Sequence, residues 1–249
     1  MMDFHCHLDL YNRPLEIFEE VKRRNTFVLA VTTSPRAYVK TAEYFSTAEN
    51  VFVAVGLHPE LIAERSNEKE LLFDCMKKCE ILGEIGIDGS PRSRGSLALQ
   101  REFFEEILKN ADKTGGKIMS IHSRGAVKDV LELIYKYKGA SMPILHWFTG
   151  TPKEVDQALE MGCFFSIHPN MCSTKSGKMI ISKIPIEKMF PETDAPFTQK
   201  SGEPYMPWDD TVVGYIASSH GIRKEDVNAK FKENMTHIFN KKEINAGYV

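Results

Sequence analysis

Thr26-Phe27-Val28-Leu29-Ala30-Val31-Thr32-Thr33 is an unbroken run of apolar and β-branched residues. It lacks the alternation of a half-solvated strand, so it reads as a parallel strand covered by helices on both faces. The flanking segments repeat the theme. Upstream, 1–5 reads as a strand and 15–24 as an amphipathic helix; downstream, 35–48 reads as a helix and VFVAV at 51–55 as a strand. Further strands are expected at 80–87, 116–121, 142–145, 163–167 and 189–192, with helices at 69–78, 97–113, 127–137, 153–161 and 176–184. Eight strands alternating with helices imply parallel pairing through right-handed crossovers. In a chain of 249 residues this predicts an α/β fold of the (β/α)8 TIM-barrel type. No Gly-rich dinucleotide fingerprint follows any strand, which disfavours an open doubly wound sheet. Residues 1–249 are expected to form a single domain, with 241–249 a loosely docked tail.

Hydrophobic residues make up 42% of the chain, enough for one sizeable core. A formal net charge of −2 provides no overall basic field, although a local groove or bound cations can still serve a nucleic acid. The five cysteines, Cys6, Cys75, Cys79, Cys163 and Cys172, contain no second pair at zinc-knuckle spacing. Without a secretory signal or a run of membrane-spanning length, the expectation is a cytoplasmic protein with free thiols and no membrane partner.

The chemistry concentrates at the strand ends. In Asp3-Phe4-His5-Cys6-His7-Leu8-Asp9, two histidines two apart share one strand face and form a natural clamp for a divalent metal. Later strands end near Glu84, His122, His146 and Asp194, and a barrel gathers its strand ends at one mouth. Each has an ordinary alternative. A strand-end histidine is commonly just hydrogen-bonded in place, and Asp194 could form a turn or cap a helix. A lone buried Glu84 is harder to dismiss, because an unpaired buried carboxylate is costly. Together the six predict a metal site of His and carboxylate donors, suited to Mg, Mn or Zn. Six donors exceed the needs of one catalytic ion, which keeps a position open for water. Two ions bridged by a carboxylate use them economically and suit phosphodiester hydrolysis, activating the attacking water and stabilising charge on the phosphate.

The stretches DFHCHLD, VGLHPE, LGEIGID, IHSR, LHWFTG and ETDAPF, in this order, resemble the TatD family of metal-dependent deoxyribonucleases, hydrolases on an amidohydrolase-like barrel. The resemblance runs from Asp3 to about Phe239. Within the family, MDFHCHLDLY, LHWFTG and MPWD are most similar to QatD, the TatD-like component of Qat anti-phage defence systems. The resemblance implies that His5, His7, Glu84 and Asp194 hold one metal ion, and that Glu84 bridges to a second held by His122 and His146. Glu84 and Asp194 are then the catalytic carboxylates, Asp194 handling the proton of the attacking water. It also implies a DNA substrate, taken as single strands or 3′ ends by an exonuclease, and other Qat defence proteins as partners.

His58 matches a position that contacts the substrate phosphate, or it is a loop histidine holding the Gly56–Pro59 turn. Arg124 is a candidate phosphate clamp or a surface arginine. Trp147 stands where small or polar residues are frequent; it could stack on a base or cap the core. Asp88 reads as a loop-ordering residue rather than a ligand. Gly202-Glu203-Pro204 replaces the family's Asn-Glu-Pro, removing an amide that would face the substrate, and His237 stands where an arginine is usual. Two other functions fit the same barrel: a small-molecule hydrolase (lactonase, amidase or phosphoesterase), or a subunit acting mainly within a defence complex. The first usually bridges its metals through a carboxylated lysine on the fourth strand, where this chain has Glu84.

Overall fold

Strands β1 (Met2–Cys6), β2 (Phe27–Val31) and β3 (Val51–Ala54) pair in parallel in that order. Every residue of β2 is buried, as its unbroken apolar run requires. A second parallel sheet follows chain order through β4 (Ile81–Gly86), β5 (Lys117–His122), β6 (Ser141–His146), β7 (Phe164–Ile167) and β8 (Met189–Pro191). The bridge between Val55 and Leu82 joins the two sheets. At the other seam β8 runs past β1: Asp194 N–H donates to the His5 carbonyl (2.9 Å) and His7 N–H to the Ala195 carbonyl (2.8 Å). Asp3 laces the same seam, accepting from the backbone N–H of His5 and Thr193 (both 3.1 Å) and from the Thr193 hydroxyl (2.6 Å). This computed structural model, a (β/α)8 barrel, describes residues 1–200 and 202–241; the tail expected at 241–249 lies outside the described residues beyond Lys241.

Helices α1 (Pro14–Arg24), α2 (Pro35–Phe45), α3 (Ile62–Arg65), α4 (Lys69–Met76), α5 (Leu97–Lys113), α6 (Val127–Lys136), α7 (Pro152–Glu160) and α8 (Lys175–Ile181) return the chain between strands. Proline opens α1, α2 and α7, where its fixed φ suits a first turn that needs no donor. Ser34 caps α2 by accepting from Ala37 N–H (3.2 Å), and Thr151 and Glu154 form a capping box on α7. Helix α8 stops at Ile181 rather than at 184, because the chain tightens into short-range turns ahead of Pro185. Among the described residues no helix is long and apolar enough to cross a membrane.

Beyond the eighth strand the chain adds elements outside the strand–helix pattern: a hairpin of β9 (Gln199–Lys200) and β10 (Glu203–Pro204), then α9 (Thr211–His220) and α10 (Lys224–Asn240). Gly221 ends α9 in the left-handed conformation, φ 64°. Helix α10 joins an aromatic cluster in which Phe4 stacks on Phe190 (3.8 Å) and Phe239 meets Phe27 and Phe52 (5.9 and 5.1 Å). Asn234 donates to the carbonyls of Ile186 and Met189 (2.8 and 2.9 Å), fixing the start of β8. Asp194 follows three residues beyond the far end of that strand.

Candidate metal centre

Glu84 sits near the end of β4, buried, and its two oxygens face different histidines. Oε2 lies 3.5 Å from His5 Nε2 and 3.3 Å from His7 Nε2. Oε1 lies 2.7 Å from His122 Nδ1, 3.2 Å from His146 Nε2 and 3.3 Å from His58 Nε2. Asp194 Oδ1 completes the first group, 3.7 Å from His5 Nε2 and 3.6 Å from His7 Nε2. The structure therefore brings His5, His7, Glu84, His122, His146 and Asp194 into one cluster, with His58 beside them. The local fold fixes this arrangement. Strand alternation puts Asp3, His5 and His7 on one face, and the Glu84 backbone is tied to β2 through Glu84 N–H to the Thr32 carbonyl (3.1 Å). Gly56 backs directly on it: an added Cβ would lie 2.3 Å from the Glu84 carbonyl oxygen. Asp194 and Trp147 take φ of 51° and 35°, a conformation that Asp tolerates and Trp seldom adopts, and the seam hydrogen bond to His5 holds Asp194 there.

What each imidazole can do is decided by the partner on its outer nitrogen. His122 lies between two carboxylates, Nε2 2.7 Å from Asp88 and Nδ1 2.7 Å from Glu84, so Asp88 fixes the ring with Nδ1 directed into the cluster. His146 turns Nδ1 to Glu192 (3.3 Å) and directs Nε2 toward Glu84 (3.2 Å). His5 turns Nδ1 to the Ser120 hydroxyl (2.7 Å). His58 differs: its Nδ1 accepts from the Glu60 backbone N–H (3.2 Å), so the N–H donor of the ring is at Nε2. The chain repeats this turn at His168-Pro169, where Nδ1 accepts from Asn170 N–H (3.0 Å) and Nε2–H donates to the Thr193 carbonyl (2.8 Å). His58 is thus built to donate into the cavity, whereas Ser120, Asp88 and Glu192 aim His5, His122 and His146 so that each can offer a lone pair inward once its inner nitrogen is deprotonated; neither nitrogen of His7 has a hydrogen-bond partner among the described residues.

Charge in the cluster is matched unevenly. Burial pushes the Glu84 carboxyl up, but His58, His146 and His122 outweigh it and hold the group well below the usual carboxylate range. Burial, then His146, pulls His5 down to about 3, although Glu84 and Asp194 oppose them. Burial also pulls His7 down, yet Asp194 and Glu84 reverse it to about 9. His146 ends well above its ordinary value, burial being outweighed by Glu192 and Glu84. His5 Nε2 and both His7 nitrogens are buried without a hydrogen-bond partner among the described residues. Orphaned buried nitrogens beside ionised carboxylates are what divalent cations satisfy, so the donor set fits metal. Two cation-sized groupings, His5–His7–Glu84 and His58–Glu84–His122, share Glu84; a third, His5–His146–Glu192, includes the carboxylate on His146's outer side.

Two residues here escape sequence reasoning or exceed it. Glu192 accepts from Trp147 N–H (2.9 Å) and from the Ser166 hydroxyl while holding His146. Asp88 does order its loop, accepting from Ser90 N–H (2.8 Å), but it also grips His122. The first two residues of the ETDAPF stretch signal strand end, and nothing in the sequence says that its first carboxylate faces a histidine 46 positions away.

The cluster floors a cavity of about 790 Å³ whose wall includes His58, Arg124, Trp147 and Phe197. Arg124 is exposed and has no ion pair among the described residues. Trp147 lies flat on His168, ring centroids 3.9 Å apart, so one face of the indole is already covered. A more open groove of about 980 Å³ beside α2 shares Thr33 with the cavity but is lined by Leu15, Val39 and Tyr44 and holds no histidine. The chemistry belongs to the cavity.

Imidazoles gathered around a shared carboxylate at the strand ends of a barrel define a metal-dependent hydrolase. Residues 2–240 match the family of TatD related DNases, and the chain belongs to that family. An uncharacterized metal-dependent hydrolase of Buchnera aphidicola is 29% identical over 253 residues, covering 92% of this chain and 94% of that protein. Deoxyribonuclease TATDN3 of Homo sapiens is 25% identical over 265 residues, covering 97% and 95%. The crystal structure of YJJV, a TatD homolog of Escherichia coli K12, superposes with a TM-score of 0.84 at 18% identity, covering 96% of this chain and 98% of that one; it supports the fold.

Proposed function

We propose that the protein hydrolyses phosphodiester bonds of DNA using two divalent cations, Mg, Mn or Zn. The observation that carries this reading is the division of Glu84, one oxygen toward His5 and His7 and the other toward His122 and His146. A carboxylate divided in this way suits a bridge between two ions. His5, His7, Glu84 and Asp194 would hold the first, and Glu84, His122 and His146 the second. Divalent cations held there supply Lewis acidity and a nucleophile available at neutral pH. The chain's own groups do the rest. Asp194, held below its ordinary value by His7 and His146 against its burial, is ionised and can take a proton from water. His58 Nε2–H donates to a phosphate oxygen, and Arg124 is free to pair with the same group. Asp88 and Glu192 keep His122 and His146 aimed inward.

The finer reading rests on sequence: single strands or 3′ ends as substrate, in the cytoplasm, as a QatD-like component beside other Qat anti-phage proteins. The MDFHCHLDLY, LHWFTG and MPWD stretches support it. The test is cleavage of labelled single-stranded DNA with added Mn or Mg, by the wild type and by Glu84→Ala. Metal-dependent nucleotide release that Glu84→Ala abolishes is expected. Equal digestion by both proteins would overturn the assignment.

A further inference from the structure

The cavity wall contains an aromatic ring that the metal centre does not use. Phe197 is 62% exposed, although Ala195 and Thr198 on either side of Pro196–Phe197 are buried. Its ring meets His7 edge-on, centroids 4.9 Å apart and planes at 75°. The segment carrying it is tied down at both ends. His7 N–H donates to the Ala195 carbonyl (2.8 Å), and the Thr198 hydroxyl donates to the Thr193 carbonyl (2.6 Å). Tyr205 N–H then donates to the Thr198 carbonyl (3.2 Å). The ring is therefore presented on a preorganised backbone, which lowers the entropic cost of binding anything against it.

An isolated exposed phenylalanine needs no explanation. One that is held in position in the wall of a cavity, against a residue of the metal cluster, calls for a ligand with a flat apolar face. Trp147 serves less well, since His168 covers one of its faces. We infer that Phe197 forms a nucleobase subsite, stacking the base of a nucleotide whose phosphate lies over the Glu84 cluster. The inference rests on the phosphodiesterase reading and deepens it by naming the part of the substrate recognised. A base can lie on Phe197 only after leaving its neighbours in a duplex, so the subsite selects unpaired nucleotides. It is indifferent to base identity, because every base has a π-face.

The experiment separates binding from cleavage. A labelled single-stranded oligonucleotide, and versions abasic at each position flanking the cleaved bond, are titrated by fluorescence anisotropy with Ca2+ present, against wild type, Phe197→Ala and Phe197→Trp. Stacking predicts that Phe197→Ala weakens binding of the intact strand roughly tenfold. The penalty falls below about twofold on one abasic strand, and Phe197→Trp restores the affinity. An equal penalty on intact and abasic strands, or none, overturns the subsite. So does loss of metal content in Phe197→Ala, which would make the ring a support for His7. Cleavage of the same strands with Mn is scored separately: base-dependent binding without any cleavage would uphold the subsite and sink the hydrolytic reading.

Discussion

Replacing Glu192 separates a residue that aims a histidine from one that merely fills space. Its carboxylate receives the Trp147 N–H at 2.9 Å, the Ser166 hydroxyl, and His146 Nδ1 at 3.3 Å, all in a buried setting. Glu192→Ala strands two buried donors, each costing about 1–3 kcal/mol, and frees the imidazole to rotate. Glu192→Gln keeps an oxygen for Trp147 and His146, while Ser166 can reverse its hydroxyl to accept from the new amide; its stability cost is under about 1 kcal/mol. What the amide removes is negative charge behind His146. Orienting partners of this kind are worth about 10–100-fold in metal affinity. We expect a roughly tenfold loss for Gln and a roughly hundredfold loss for Ala. Isothermal titration with Mn, alongside thermal unfolding of the metal-free proteins, reads the two effects apart. A Glu192→Gln protein that binds metal as tightly as wild type would refute the aiming role.

Two further perturbations test the centre from other directions. Against its burial, Asp194 and Glu84 push metal-free His7 up from an ordinary 6.5 to about 9, so its contribution to folding stability is complete below 6.5 and is lost as the pH rises through about 9. Metal must displace that proton, so affinity should move the opposite way, rising toward pH 9 by about tenfold per unit for each proton released; calorimetry in buffers of differing ionisation enthalpy counts the protons, and an affinity flat across neutral pH would contradict this. Gly56→Ala forces a methyl to within 2.3 Å of the Glu84 carbonyl oxygen, and should cost about 1–3 kcal/mol in urea denaturation and weaken metal binding; a variant matching wild type in both would show that the β3 end does not set the Glu84 backbone.

The fold was legible where the signal is local. The run from Thr26 to Thr33 identifies a doubly covered strand, and Val51–Ala54 and Ile81–Gly86 repeat it. Helix α10 also carries its pattern openly, in Val227, Phe231, Met235 and Ile238, but a count of strand–helix units ends at the eighth strand and leaves it unassigned. In the site, residue type and strand-end position are enough to nominate His5, His7, Glu84, His122, His146 and Asp194 as neighbours. They say nothing about which nitrogen faces inward. That depends on Asp88, Ser120 and Glu192, whose partners are brought together only by the closed arrangement of strands. The difference between His58 and the other histidines is likewise invisible in sequence until the hydrogen bond from Glu60 N–H is seen.

The central claim is a pair of ions bridged by Glu84. Native mass spectrometry with elemental analysis, on wild type and Glu84→Ala after equilibration with Mn, tests it most directly. About two ions per chain are expected in the wild type and loss of both from Glu84→Ala, with the barrel still folded by circular dichroism. A wild type that binds none, or a Glu84→Ala protein that retains both ions, would contradict it.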